Sequence, residues 1–110
     1  MIKLFKNIDV KKTLFLKDEI SYQTGQVLSK TLTQNDKLSI TLFSLDKNEE
    51  IATHKAAGDA LVIILAGTAI VTIDESNFLL DEGMAILMPH DHPHSLFAKD
   101  KFKMLLIISY

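Results

Sequence analysis

Apolar and polar residues alternate along most of the chain, and a period of two is typical of half-buried β-strands. A strand is predicted over residues 37–45, and the alternation is clearest at residues 38–42, where leucine and isoleucine alternate with serine and threonine. Further strands are predicted over residues 26–33, 51–54, 61–66, 68–73, 78–80, 84–88, 95–98 and 102–108. Polar turns rich in aspartate, asparagine and glycine separate these segments. Eight or more short strands at this spacing favour an all-β barrel or sandwich.

The N-terminal segment lacks this alternation. We therefore divide the chain into an N-terminal extension, residues 1–22, and a barrel domain, residues 23–110. Asp9 suits the N-cap of a short helix that ends at Lys17, since Val10 and Leu14 would share one face of that helix.

The composition fits one folded domain. The chain has 110 residues, and 47% of them are hydrophobic, which is enough for a core. Its longest apolar run, from Ala60 to Ala66, has seven residues, whereas a membrane-spanning helix needs about 20. The first residues lack the apolar stretch and cleavage site of a signal peptide. Without cysteine, thiolate chemistry and disulfides are excluded, and we expect a cytoplasmic location.

The charged residues exclude other classes of partner. The net charge is −2, so electrostatics give no reason to expect binding to nucleic acid. All 12 basic residues are lysine. Because phosphate and carboxylate groups are usually bound through the two-pronged guanidinium of arginine, nucleotide and phosphosugar substrates are disfavoured.

Two sparse patterns of histidine, glycine and proline mark the second half of the chain. Their residues are, in order, Asn48, His54, Gly67, Gly83, Pro89, Asp91 and His94. The spacing resembles the two sequence motifs of the cupins, and 15 residues separate Gly67 from Gly83, as in small bacterial members. The resemblance covers about residues 37–110. It implies a jelly-roll β-barrel, also called a double-stranded β-helix, with His54 and His94 converging on one pocket.

The chain departs from the family at the metal-binding positions. The resemblance implies three histidines and one glutamate, but Ala56 and Ala60 stand where the second histidine and the glutamate would be. Only His54 and His94 remain as ligands. Asp59, beside the glutamate position, is an alternative third ligand if a bulge at Gly58 turns it inward; regular strand alternation points it away.

Two glycine positions of the family pattern hold Asn48 and Asp91. Asparagine and aspartate are the non-glycine residues that best tolerate a positive φ, so both replacements are expected to keep their turns. The tract His90–His94 reads either as a surface metal-binding segment or as a constrained turn, with His92 at the rim of the pocket.

Three functions stay open from the sequence. The first is binding of a small molecule by His54, Ala56, Ala60, His92 and His94, with the two alanines making the pocket wider and less polar. The second is a metal-dependent enzyme of the dioxygenase or isomerase class, with Fe, Mn, Ni or Zn held weakly by His54 and His94. The third is metal-free acid–base catalysis by one of these histidines.

The quaternary structure is also predicted. Small barrels of this type can cover more surface by pairing an N-terminal strand with a second subunit. We therefore expect a homodimer, with residues 22–33 as the exchanged or edge-pairing segment, and no nucleic-acid or membrane partner.

Overall fold

Within the part of the chain that the structure describes, residues 4–110 of a computed structural model, nine strands form two antiparallel sheets. The only helical segment in this range is a 3₁₀ turn, Leu16–Asp18. No helix among these residues is long and apolar enough to cross a membrane. The strands are β1 Val27–Gln34, β2 Leu38–Leu45, β3 Glu50–Lys55, β4 Asp59–Ala66, β5 Ala69–Ile73, β6 Ser76–Leu80, β7 Ala85–Met88, β8 Pro93–Ala98 and β9 Phe102–Ser109.

The two sheets pack face to face in a jelly roll. The first has the strand order β1-β2-β9-β4-β7 and the second the order β3-β8-β5-β6. Val62 and Phe102 of the first sheet share one buried cluster with Val71 and Leu96 of the second, and each is at most 2% exposed. The expected all-β barrel is confirmed, and its predicted strands agree with the observed ones to within a few residues.

Strand β2 is apolar on both faces. Phe43 and Leu45 point into the barrel, whereas Ile40 and Leu42 point outward. The residues of the N-terminal extension cover this outer face, and a second cluster forms there around Leu42. Its apolar members from the extension are Ile8, Leu16 and Ile20. The extension is therefore a layer that packs on the outside of the five-stranded sheet.

The predicted helix from Asp9 to Lys17 is wrong. Lys11 has a φ of 59°, which lies outside the right-handed helical region. Val10 is 83% exposed, so no apolar face of a helix is buried there. The segment instead follows an irregular path that places its scattered apolar side chains on the sheet. Its conformation is therefore set by packing on the sheet and not by local helix preference.

The outer edge of β1 is already in use. The backbone N–H of Lys6 donates to Leu32 O at 2.8 Å, and Asn7 Nδ2 donates to Thr31 O at 2.8 Å. Strand β1 pairs on its other side with β2 of the same chain. A second subunit that used this edge would have to displace residues 4–7, and the homodimer through residues 22–33 stays a prediction.

Candidate functional site

His54 and His94 lie opposite each other on neighbouring strands. They are direct partners in the pairing of β3 with β8, although they are 40 residues apart in sequence. Their Nε2 atoms are 3.2 Å apart, and the rings meet edge to face with centroids 4.4 Å apart. The structure thus brings together the two histidines that the sequence placed at one pocket.

A bulge in β3 makes this pairing possible. Ile51 pairs with Leu96 and His54 pairs with His94, so β3 has one more residue than β8 between the two pairs. Side chains alternate along a regular strand, and Ile51 and His54, three residues apart, would then point to opposite faces. The extra residue puts both on the inner face; without it, Thr53 would be opposite His94.

Each ring is oriented by a backbone carbonyl two residues earlier. His54 Nδ1 lies 2.9 Å from Ala52 O, and His94 Nδ1 lies 3.3 Å from His92 O. A carbonyl oxygen only accepts hydrogen bonds, so the tautomer that fits these two contacts has its proton on Nδ1. In a neutral pair of this tautomer, both Nε2 atoms are acceptors.

His94 is the buried member of the pair. It is 2% exposed, whereas His54 is exposed on the side towards solvent. Burial lowers the pKa of His94 below its usual 6.5, and the neighbouring His54 lowers it further, while the contact with the His92 carbonyl acts in the opposite sense. The balance favours a neutral His94 ring, whose Nε2 is ready to accept a hydrogen bond or to bind a cation.

A cavity of about 160 Å³ extends from this pair between the two sheets. Among the described residues that line it, His54 and His94 alone have nitrogen or oxygen in their side chains. The others are apolar: Phe43, Ile51, Ala56, Ala60, Met88, Leu96, Met104, Leu106 and Ile108. The cavity therefore has one polar end and an apolar body.

The two alanines contribute to the space in this cavity. Ala56 and Ala60 both lie on its wall, and Ala60 is 1% exposed. A methyl group takes little room where the family pattern has a ligand side chain. For scale, an engineered apolar cavity of about 150 Å³ holds one benzene molecule. The volume thus suits one ring or a short branched chain.

Asp59 lies on the other side of its strand. Strand β4 pairs regularly with β9 from its first residue, with Ala60 facing the cavity, so Asp59 faces outward. Its Oδ1 accepts the backbone N–H of His90 at 2.9 Å, and this hydrogen bond holds the pKa of Asp59 below its usual value. The structure does not bring Asp59 to the histidine pair, because no register shift occurs beside Gly58.

His92 lies outside the cavity. Its Nδ1 is 3.0 and 3.1 Å from the two carboxylate oxygens of Asp74, in the turn between β5 and β6. This contact holds the ring beside the β5–β6 turn, and His92 does not line the cavity wall. The contribution of His92 to the site is its carbonyl oxygen, which orients His94.

Both positions where the family pattern has glycine have a positive φ in this chain. Asn48 has a φ of 70° and Asp91 a φ of 63°, which confirms that both residues occupy the left-handed region. The N–H of Asp91 donates to Ala56 O at 3.1 Å. This bond ties the turn before His94 to the strand that carries His54.

The pair meets part of what a metal ion requires. Two imidazoles on one tetrahedral ion, each at 2.0–2.1 Å from it, have nitrogens about 3.3 Å apart. The observed 3.2 Å suits this arrangement. However, no group of three metal-binding side chains exists within residues 4–110. Water or a bound molecule would have to complete the coordination.

Sequence reasoning missed the bulge in β3 and the carbonyl of Ala52. One signal was available, because Ile51 and His54 can share a face only if a residue is inserted between them. The apolar cavity residues Phe43, Met88 and Met104 carried no such signal. Their type is common in any core, and their place on the cavity wall depends on the packing of two sheets.

Comparison with known proteins gives a consistent result. The cupin domain family matches residues 41–109 of the chain. A conserved protein of unknown function from Streptococcus pyogenes is 44% identical, with 98% of this chain and 95% of that chain covered and a TM-score of 0.96. None of the curated proteins compared with the chain matches it.

Two further solved structures are similar. A cupin superfamily protein from Desulfitobacterium hafniense is 33% identical, with 96% of each chain covered and a TM-score of 0.92. A cupin 2 conserved barrel domain protein from Leptotrichia buccalis is 35% identical with a TM-score of 0.84. In that case 86% of this chain but 46% of the other chain is covered.

Proposed function

The chain belongs to the cupin domain family, and we propose that it binds one small, largely apolar molecule in the barrel cavity, with His54 and His94 as polar anchors. The single observation that carries this proposal is the cavity itself. About 160 Å³ of space remains between two packed sheets, and it ends at two imidazole nitrogens. Protein interiors are normally close-packed, so a space of this size beside a buried imidazole is typical of a binding site.

The alanines support binding over catalysis by a firmly held metal. Ala56 and Ala60 cannot ligate, and Asp59 is held by His90 on the other face of β4. Their methyl groups leave room for a ligand. The apolar wall favours a molecule with a compact hydrocarbon part, and burial of that part supplies most of the binding free energy.

The test is ligand titration of protein treated with a chelator, using benzene, toluene and phenol as probes and methyl chemical shifts as the readout. We expect saturable shifts of the methyl groups of Met88 and Met104, which line the cavity. The variant Ala60→Leu fills the cavity and should lose these shifts. Ala85→Leu, at an exposed position of β7, is the matched control and should keep them.

The proposal fails if no probe shifts the cavity methyl groups. It also fails if Ala60→Leu and the wild-type protein respond alike while both are folded, because the probes would then bind elsewhere. Overpacking at Ala60 costs about 1–3 kcal/mol, so the fold of each variant is checked by its unfolding midpoint.

A metal-dependent enzyme is the second candidate, and one observation favours it. The 3.2 Å separation of the two Nε2 atoms matches the spacing of two imidazoles on one ion. Metal analysis of the protein purified without a chelator tests it, with His54→Ala as the control. About one equivalent of metal in the wild type, lost in the variant, supports this candidate, and its absence supports the first.

A further inference from the structure

With both rings in the tautomer that fits their carbonyl contacts, the two polar atoms at the end of the cavity are hydrogen-bond acceptors. The Nδ1 protons of His54 and His94 are used by the carbonyls of Ala52 and His92, which leaves each Nε2 with a lone pair. In this tautomer the two lone pairs meet at 3.2 Å, and neither ring donates to the other. A donor placed beside both atoms would satisfy them, whereas another acceptor would add to the conflict.

Nothing else on the cavity wall recognises a polar group. Its remaining described residues are aliphatic, aromatic or thioether side chains. A carboxylate, ether or ketone offers only acceptors, so it would face two lone pairs with no donor in reach. The chain has no arginine that could supply one. The cavity therefore suits an apolar molecule that carries one hydrogen-bond donor, with the donor at the histidine end.

The body of the cavity suits an aromatic ring. Its volume of about 160 Å³ is close to the roughly 150 Å³ that holds benzene in an engineered cavity. Phe43, Met88 and Met104 lie on the wall. Methionine sulphur and phenylalanine both make favourable contacts with the edge of a ring, and these contacts distinguish it from a flexible chain of equal size.

We propose that the cavity selects small phenols, with the ring in the apolar body and the hydroxyl donating a hydrogen bond to the His54–His94 pair. This inference rests on the proposed function and names its ligand class. The O–H of a phenol is a stronger donor than that of an aliphatic alcohol. Imidazole nitrogen is a strong neutral acceptor, so the pair favours phenols over aliphatic alcohols of the same size.

The decisive experiment compares phenol with toluene, which has similar size and shape but no donor. Dissociation constants are measured by NMR on chelator-treated protein, for the wild type and for His54→Leu/His94→Leu. We expect the double variant to weaken phenol about tenfold, the worth of one buried hydrogen bond, and to leave toluene within about twofold. His90→Gln, which removes an exposed histidine that contacts Asp59 outside the cavity, should change neither constant.

The possible outcomes distinguish failure of this inference from failure of the proposed function on which it rests. If neither phenol nor toluene binds, the proposed function itself fails. If both bind and the double variant weakens them equally, the cavity stands and selection for a donor is overturned. Selection is also overturned if benzoate binds more tightly than phenol, or if phenol binds only after Zn²⁺ is added.

A second measurement uses only the wild-type protein, so it does not require any variant to fold. Long-range ¹H–¹⁵N spectra of the histidine rings report which nitrogen carries the proton. At a pH where both rings are neutral, we expect the Nδ1-protonated form of His54 and of His94. An Nε2 proton on either ring would overturn the inference, because the pair would then supply its own donor.

Discussion

His54 and Ala52, two residues apart on the bulged strand β3, are joined by a hydrogen bond of 2.9 Å from the ring Nδ1 to the backbone carbonyl oxygen. His94 makes the corresponding contact with His92 on β8. The backbone of two paired strands thus fixes the orientation of both rings. The polar end of the cavity is therefore preorganised before any ligand arrives.

The stability of the protein is expected to depend on pH through His94. Its pKa in the folded protein is lowered by burial and by His54, while in the unfolded chain it is about 6.5. The unfolded state therefore binds more protons between these two values, and the free energy of unfolding falls as pH drops below about 6.5. Urea unfolding at a series of pH values between about 7.5 and about 5 measures this slope.

The variant His94→Gln should flatten that slope, and His90→Gln, on the outer surface, should retain it. Asp46 and Asp59 have pKa values lowered by backbone hydrogen bonds, and their contribution is lost only at pH values below about 3.8. A slope that persists unchanged in His94→Gln contradicts the assignment.

Gly67 and Gly83 have similar backbone conformations but different surroundings, so replacing each by alanine compares the free-energy cost of a side chain at a crowded and at an open position. Both have a positive φ, 81° and 85°. A Cβ on Gly83 meets nothing within 4 Å, whereas a Cβ on Gly67 would overlap the carbonyl of Lys101. We expect Gly83→Ala to cost about 1–2 kcal/mol from backbone strain alone. Gly67→Ala should cost several kcal/mol in unfolding experiments; equal losses would show that the close approach is unimportant.

Asp91 is expected to be replaceable by glycine but not by a β-branched residue. Its φ of 63° is free of strain for glycine and strongly disfavoured for valine. Asp91→Gly should change the free energy of unfolding by less than about 1 kcal/mol. Asp91→Val should lose about 2 kcal/mol or more and loosen the turn before His94. A valine variant as stable as the wild type would contradict this view of the turn.

The homodimer predicted from the sequence is tested by sedimentation equilibrium. We expect a mass of twice 12.3 kDa at micromolar concentration. Since residues 4–7 bond to the outer edge of β1, deleting them should alter the association if that edge forms the contact. A monomer under these conditions would contradict the prediction.

The strands and the two special turns could be predicted because each depends on local sequence. Alternation marks a strand wherever one face is buried, and Asn48 and Asp91 are residue types that accept a positive φ. Such features need no knowledge of which strands pair. The family motifs then placed His54 and His94 at one pocket before any pairing was known.

The features that the sequence did not reveal depend on contacts between distant segments. The bulge before His54 can be recognised only from the pairing of β3 with β8. In the sequence, its one indication is that Ile51 and His54 are separated by one residue more than regular alternation would need. Strand β2 is apolar on both faces, so the pattern could not show that Leu42 faces an outer layer and Phe43 the cavity. The path of the extension, predicted as a helix, is likewise set by that outer layer.

The most direct test of the cavity is a crystal structure of the protein under xenon pressure, with anomalous scattering used to locate the gas. Xenon enters dry apolar cavities of this size. We expect one strong site between Ala60, Met104 and the His54–His94 pair. A structure in which the side chains close this space and xenon binds only elsewhere would contradict it.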